Sequence, residues 1–199
     1  PFSSVRKWSS VTFAEYGTLI MGAPDKLLPT LDPCFTEAME EGKRILLIGR
    51  CKNELVEDQP LPAVVPLCAV VLSDTIRPNV EKTLQFFKEE GVEIKVISGD
   101  HITAVSAIAR KAGLHSWNAC VDMSSVGDDV KTIEQLAEQY SVFGRVTPIQ
   151  KKLLVQSMQK QGHSVAMSGD GVNDMLALKE AACSIAIAQG SEAVQQMSQ

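Results

Sequence analysis

Two hydrophobic rhythms divide this chain. In its first third, apolar residues come in short runs broken by turn formers. Residues 7–14 and 18–21 are rich in Val, Thr, Phe and Trp, and Tyr16-Gly17 between them predicts a hairpin. A loop opens at Gly22-Ala23-Pro24, a short helix follows over 36–41, and 44–48 is a further apolar strand after Gly42. Residues 52–66 are polar and carry Pro60, Pro62 and Pro66, which places a domain transition there. Residues 1–66 therefore read as a small, partial antiparallel α+β domain.

From residue 67 strands and helices alternate. Residues 67–72 are a continuous apolar strand ending at Ser73-Asp74, and 79–90 carry Val80, Leu84 and Phe87 at helical spacing before Gly91. Residues 94–97 form a strand that opens onto Ser98-Gly99-Asp100. Asp100 is placed to cap a helix with Ile102, Val105, Ile108, Ala109 and Ala112 on one face, ended by Gly113. A weaker strand over 118–121, a helix over 130–139 and the strand pair Val142-Phe143 follow. Thr147 and Pro148 suit the cap and first position of a helix running to about residue 160. Strands over 165–167 and 184–188 complete the pattern. Such alternation predicts an α/β fold over 67–199, a doubly wound, mainly parallel sheet with helices on both faces.

Composition acts mainly by exclusion. The 199 residues carry a formal net charge of -5, which gives no electrostatic reason to expect nucleic acid as a partner. No apolar run approaches the roughly 18 residues of a membrane span, and no signal peptide is apparent. The chain opens on Pro1 and reads as an excised or processed piece. Its cysteines, Cys34, Cys51, Cys68, Cys120 and Cys183, have neither metal-ligand spacing nor a disulfide rhythm. They are expected to be reduced, buried thiols of a cytoplasmic protein.

The chemistry concentrates in HSVAMSGDGVNDMLAL, residues 163–178. An apolar strand runs into Ser168-Gly169-Asp170-Gly171, so Asp170 and Asp174 fall at a strand's carboxyl end, where open α/β sheets collect their ligands. Two carboxylates at this spacing without His or Cys suit a hard cation such as Mg²⁺. A turn in which Asp170 and Asn173 merely cap a helix is the alternative. Ser98 and Lys151 fall at comparable sheet ends. A hydroxyl, an ammonium and a metal-binding carboxylate together are what phosphoryl transfer requires. Taken singly, Ser98 could be a helix cap and Lys151 a solvated lysine.

As a set, Asp74-Thr75-Ile76-Arg77-Pro78, Ser98-Gly99-Asp100, Arg145-Val146-Thr147-Pro148 with Lys151, and Ser168-Gly169-Asp170-Gly171-Val172-Asn173-Asp174 resemble the haloacid dehalogenase superfamily, and more narrowly the P-type ATPases. Phe2-Ser3, Arg6-Lys7, Gly22-Ala23-Pro24-Asp25 and Gly42-Lys43-Arg44 are similar to the later half of that family's nucleotide-binding domain. The resemblance implies the later part of the cytoplasmic headpiece of a cation pump, with a haloacid dehalogenase-like sheet, using ATP and Mg²⁺ and cycling through an aspartyl phosphate. By position, Asp170 would hold the metal, Asp174 would support the metal shell and Lys151, and Lys151 and Ser98 would bind phosphoryl oxygens. Gly99, Asp100, Arg145 and Asn173 would line the phosphate end of the nucleotide, Phe2 would stack on adenine, and Lys7 and Arg44 would lie nearby.

The family's phosphorylated aspartate, in a DKTGT strand at the middle of the sheet, has no counterpart here. Met21 stands where a lysine usually precedes Gly-Ala-Pro, Ser4 where an arginine often follows Phe-Ser, and Met175-Leu176 where Ala-Pro follows Asn-Asp. The implied partners are ATP, the upstream half of the same pump with its DKTGT strand and actuator domain, and membrane helices that place this part on the cytoplasmic side of a cell membrane. The missing inner strand could be replaced by that upstream segment, by a swapped strand of a second copy, or by residues 67–72. Two other readings are a free-standing phosphatase with Asp74 as nucleophile and a non-catalytic nucleotide-binding module.

Overall fold

The computed structural model describes residues 6–52, 55, 60–73 and 75–187. The chain forms two compact units, Pro1–Ile76 and Arg77–Gln199.

In the first unit β1 (Trp8–Phe13) and β2 (Gly17–Gly22) make the expected hairpin, in register from Trp8 opposite Gly22 to Phe13 opposite Gly17. After the short α1 (Pro24–Leu27), α2 (Pro33–Glu40) begins earlier than the apolar pattern suggests, because the Asp32 carboxylate accepts the Cys34 N–H at 2.9 Å. Pro33 then supplies the fixed φ of a first helical position. With β3 (Lys43–Cys51) and β4 (Val65–Ser73) the strands form an antiparallel sheet in the order β1-β2-β3-β4. Period-two alternation puts Ile20, Leu47 and Cys51 on one face with Leu27, and Trp8 and Phe35 pack against them.

Residues 67–72 are not the first parallel strand. They belong to β4, which pairs antiparallel with β3 from Lys43 opposite Ser73 to Arg50 opposite Val65. A continuous apolar run suits either kind of sheet, and the long ladder to β3 decides between them. All nine β4 residues are exposed. The unit boundary therefore follows Ile76 instead of residue 66; Pro60 and Pro62 precede β4, and Pro66 pairs within it opposite Gly49. Placement on this edge also exposes Cys68. Cys34 and Cys183 are exposed as well, so of the expected buried thiols only Cys51 is fully buried.

The second unit runs α3 (Val80–Glu89), β5 (Val96–Ile97), α4 (Ile102–Lys111), β6 (Cys120–Asp122), α5 (Val130–Gln139), β7 (Val142–Gly144), α6 (Pro148–Lys160), β8 (Ala166–Gly169), α7 (Met175–Glu180) and β9 (Cys183–Ala186). Its strands are parallel but fall into two ladders, β5-β7-β6 and β8-β9. No described strand joins them. Residues 67–72 do not join them either, since they pair with β3.

Helix α6 spans both halves. Its Leu154 and Met158 share a core with Ile133, Ala137, Phe143 and Val146, while Val155 packs with Met167, Ala177 and Leu178 beside β8. The helix starts as the sequence predicts. Thr147 Oγ1 accepts the Gln150 N–H at 3.2 Å, Gln150 Oε1 accepts the Thr147 N–H at 3.0 Å, and Pro148 follows the cap.

Candidate active site

Strand β8 ends at Gly169, and a 3-10 turn over Val172–Asp174 leads into α7. A side chain at Gly169 could not be accommodated, because its Cβ would lie 2.7 Å from the Asp174 Cβ. Strand end and helix start are thus pressed together, and Asp174 folds back beneath the turn. Its Oδ2 accepts the N–H groups of Asp170 at 3.3 Å and Gly171 at 3.2 Å, and its Oδ1 accepts Lys151 Nζ at 2.6 Å. The two side chains are only 11% and 10% exposed. Here the pair is supported by the additional hydrogen bonds that a buried ion pair needs.

Both Asp174 oxygens accept hydrogen bonds from the protein, while the Asp170 carboxylate is exposed. No hydrogen bond or ion pair engages the Asp170 side chain among the described residues. One carboxylate fits Mg²⁺, which keeps several waters and takes few carboxylates beside phosphate oxygens. Among the described residues no three His, Cys, Asp or Glu side chains gather into a metal cage. An ammonium has three donors and Asp174 takes one, leaving two on Lys151 for anionic oxygens.

A second cluster forms after β5. Ser98 Oγ accepts the Asp100 N–H at 3.1 Å. Asp100 does not cap α4 as expected. His101 does, its Nδ1 accepting the Thr103 N–H at 3.3 Å, because Asp100 is held in the loop from both sides, by Ser98 and by the Arg145 N–H on its carbonyl at 2.8 Å. Arg145 is 8% exposed, and its Nη1 donates to the Gly99 carbonyl at 3.4 Å.

A family profile for haloacid dehalogenase-like hydrolases matches residues 38–182. The chain belongs to that family. Within it, the chain is 41% identical over 99% of its length to a "Probable cation-transporting ATPase" of Streptococcus pneumoniae and 39% identical over its full length to a "Calcium-transporting ATPase" of Mycolicibacterium smegmatis. A plasma membrane-type calcium-transporting ATPase of Arabidopsis thaliana is 32% identical over 73% of the chain. The resemblance to P-type cation-transporting ATPases thus extends over the whole chain, which spans 25% of the length of each of the first two relatives.

In this member of the haloacid dehalogenase-like hydrolase family the ten residues from Val142 to Lys151 link the two clusters. β7 leads to Arg145 at the Ser98 loop, then to the Thr147 cap, and then to Lys151, whose N–H donates to the Thr147 carbonyl at 2.9 Å in the first turn of α6. No hydrogen bond or ion pair joins Ser98 directly to Lys151 or Asp170. Asn173 is exposed in the turn beside Asp170. In the first unit Lys7, with φ 62, precedes β1, and exposed Arg44 lies opposite Leu72, both at the same end of the sheet. Phe2 and Ser4, expected near the base, and Asp74, the alternative nucleophile, lie outside the described residues. No described helix is long and apolar enough to cross a membrane. Two features escaped the sequence reading, the contact that reserves position 169 for glycine and the left-handed backbone of Arg145 at φ 55. Only the glycines on either side of Asp170 hinted at the first.

Proposed function

We propose that this chain is the later nucleotide-binding and phosphorylating part of a longer P-type cation-transporting ATPase, lying on the cytoplasmic side of a membrane. The parent would hydrolyse ATP through an aspartyl phosphate and couple that cycle to ion movement. The observation that carries this reading is the buried Lys151–Asp174 pair beneath a turn that leaves Asp170 exposed, in a chain so similar to a cation-transporting ATPase.

In this reading Asp170 holds Mg²⁺, whose charge, when bound, offsets that spreading over the phosphoryl oxygens. Lys151 and Ser98 donate to those oxygens, and Asp174 fixes the ammonium so that little reorganisation accompanies reaction. Gly99, Asp100, Arg145 and Asn173 line the phosphate end, while Phe2 stacks on the base with Lys7 and Arg44 nearby. The acceptor aspartate comes from an upstream DKTGT-like strand, a reading supported by the absence of any described strand joining the β5-β7-β6 and β8-β9 ladders. The actuator domain and membrane helices belong to the rest of the parent. Expressed alone, the segment would satisfy its open sheet edges by swapping strands with a second copy, a state that sedimentation reads directly.

The test is phosphorylation with γ-labelled ATP. A version extended upstream to include the acceptor should take up acid-stable label and lose it on Asp170→Asn, while the 199-residue chain stays unlabelled. Label on the short chain that disappears with Asp74→Asn would replace this reading with that of a free-standing phosphatase.

A further inference from the structure

Gln150 is 3% exposed, and its side-chain amide engages three backbone groups. Its Oε1 accepts the Thr147 N–H within the capping box, while its Nε2 donates to the Met123 carbonyl at 3.3 Å and to the Val126 carbonyl. Met123 opens the 3-10 turn that follows β6, and Val126 closes it. A capping box needs only an acceptor at this position and takes Glu as readily as Gln. The amide nitrogen therefore has a separate consequence. It fastens the first turn of α6 to the end of β6, the strand paired with β7.

The next residue reaches elsewhere. With 3.6 residues per turn, successive side chains leave a helix about 100° apart. Lys151 accordingly departs from the same turn in another direction and meets Asp174, beyond the end of β8, at 2.6 Å. Gln150 thus grips the β5-β7-β6 ladder and Lys151 touches the β8 side, and these ladders share no described strand. The first turn of α6 is strung between them. Where the ammonium sits depends on where that turn is held, and the amide of Gln150 supplies two of the hydrogen bonds that hold it.

We propose that Gln150 is a positioning residue for Lys151. By gripping the Met123 and Val126 carbonyls it fixes the first turn of α6, and with it the place from which the ammonium meets the phosphoryl group. This deepens the function proposed above and rests on its assignment of Lys151. Gln150→Met fills the same space and removes acceptor and donors together. Gln150→Glu keeps the acceptor for Thr147 and turns a carboxylate oxygen toward the two carbonyls, so it separates the grip from the cap.

The test uses orthovanadate as a phosphoryl probe in the full-length parent. At about pH 8 either variant should weaken orthovanadate binding about tenfold, within the roughly hundredfold that a displacement of about 1 Å can cost. A carboxyl buried against carbonyl oxygens keeps its proton well above the usual range, so lowering the pH from about 8 to about 6 should restore Gln150→Glu toward wild-type affinity and leave Gln150→Met as weak as before, each compared with wild type at the same pH. In a Lys151→Met background, which should itself weaken orthovanadate, either Gln150 substitution should cause little further loss of affinity while still lowering the thermal midpoint. Wild-type affinity in both Gln150 variants, or losses that add fully to that of Lys151→Met, would overturn the inference. Wild-type affinity in Lys151→Met alone would instead remove the assignment of Lys151 beneath it.

Discussion

The Lys151–Asp174 pair makes an asymmetric stability prediction. Asp174→Ala strands the Lys151 ammonium, which is 11% exposed and makes its one hydrogen bond to that carboxylate. Removing one partner of a buried pair costs about 3 to 5 kcal/mol. The N–H groups of Asp170 and Gly171 also lose their acceptor, but exposed Asp170 can turn to water at little further cost. Lys151→Met is milder, because the carboxylate keeps both backbone bonds and the methionine stem replaces most of the lysine's packing. Its expected cost is about 1.5 to 3 kcal/mol, the scale of one hydrogen bond to a charged group. The double variant should be more stable than the sum of the single costs implies, by about 2 kcal/mol. Urea unfolding followed by Trp117 fluorescence, in a chain where Trp8 is replaced by Phe, reports the second unit alone. Equal costs for the two single variants, or a coupling below about 0.5 kcal/mol, would refute the reasoning.

Three other outcomes follow from the same contacts. Asp170→Asn, at an exposed side chain with no protein partner among the described residues, should change stability by less than about 0.5 kcal/mol while abolishing magnesium-dependent phosphorylation of the parent, read by urea melts and γ-label incorporation. Thr147→Ala removes the acceptor of the α6 capping box and should cost about 1 kcal/mol in the same melts. The Asp129 carboxyl lies below its ordinary value of 3.8 because it accepts the Thr132 hydroxyl and N–H at the start of α5. Its stabilisation is therefore complete above that value and lost as pH falls through the lower folded one. Asp129→Asn, which can still cap, should flatten the fall in urea midpoint between about pH 5 and pH 2 and leave neutral stability nearly unchanged.

The residues that make local structure locally were legible in the chain. Thr147, Pro148 and Gln150 specify the start of α6 in adjacent letters, and the Tyr16-Gly17 turn specifies the first hairpin. Misreadings arose where a partner distant in sequence decides. Residues 67–72 carry no mark of direction, and only the β3 ladder makes them an antiparallel edge. Asp100 is a better helix cap than His101 on propensity, yet His101 caps α4 while Arg145, far along the chain, holds the Asp100 carbonyl. Asp174 meets Lys151 as expected, but the two backbone N–H groups on its other oxygen were not legible, because only the folded turn brings them there. The residue types of the site were thus visible, but which of them face outward was settled by tertiary packing.

Helix α6 is a thirteen-residue rod, about 20 Å from end to end. Lys151 is in its first turn, and near its far end Gln159 donates to the Glu180 carbonyl at 2.7 Å while Lys160 pairs with Glu134. Any pull on the ammonium is delivered to a stiff lever whose opposite tip is anchored on α5 and α7. A reporter dye near Gln159 would therefore sense the arrival and departure of anions at Lys151 from the other end of the unit.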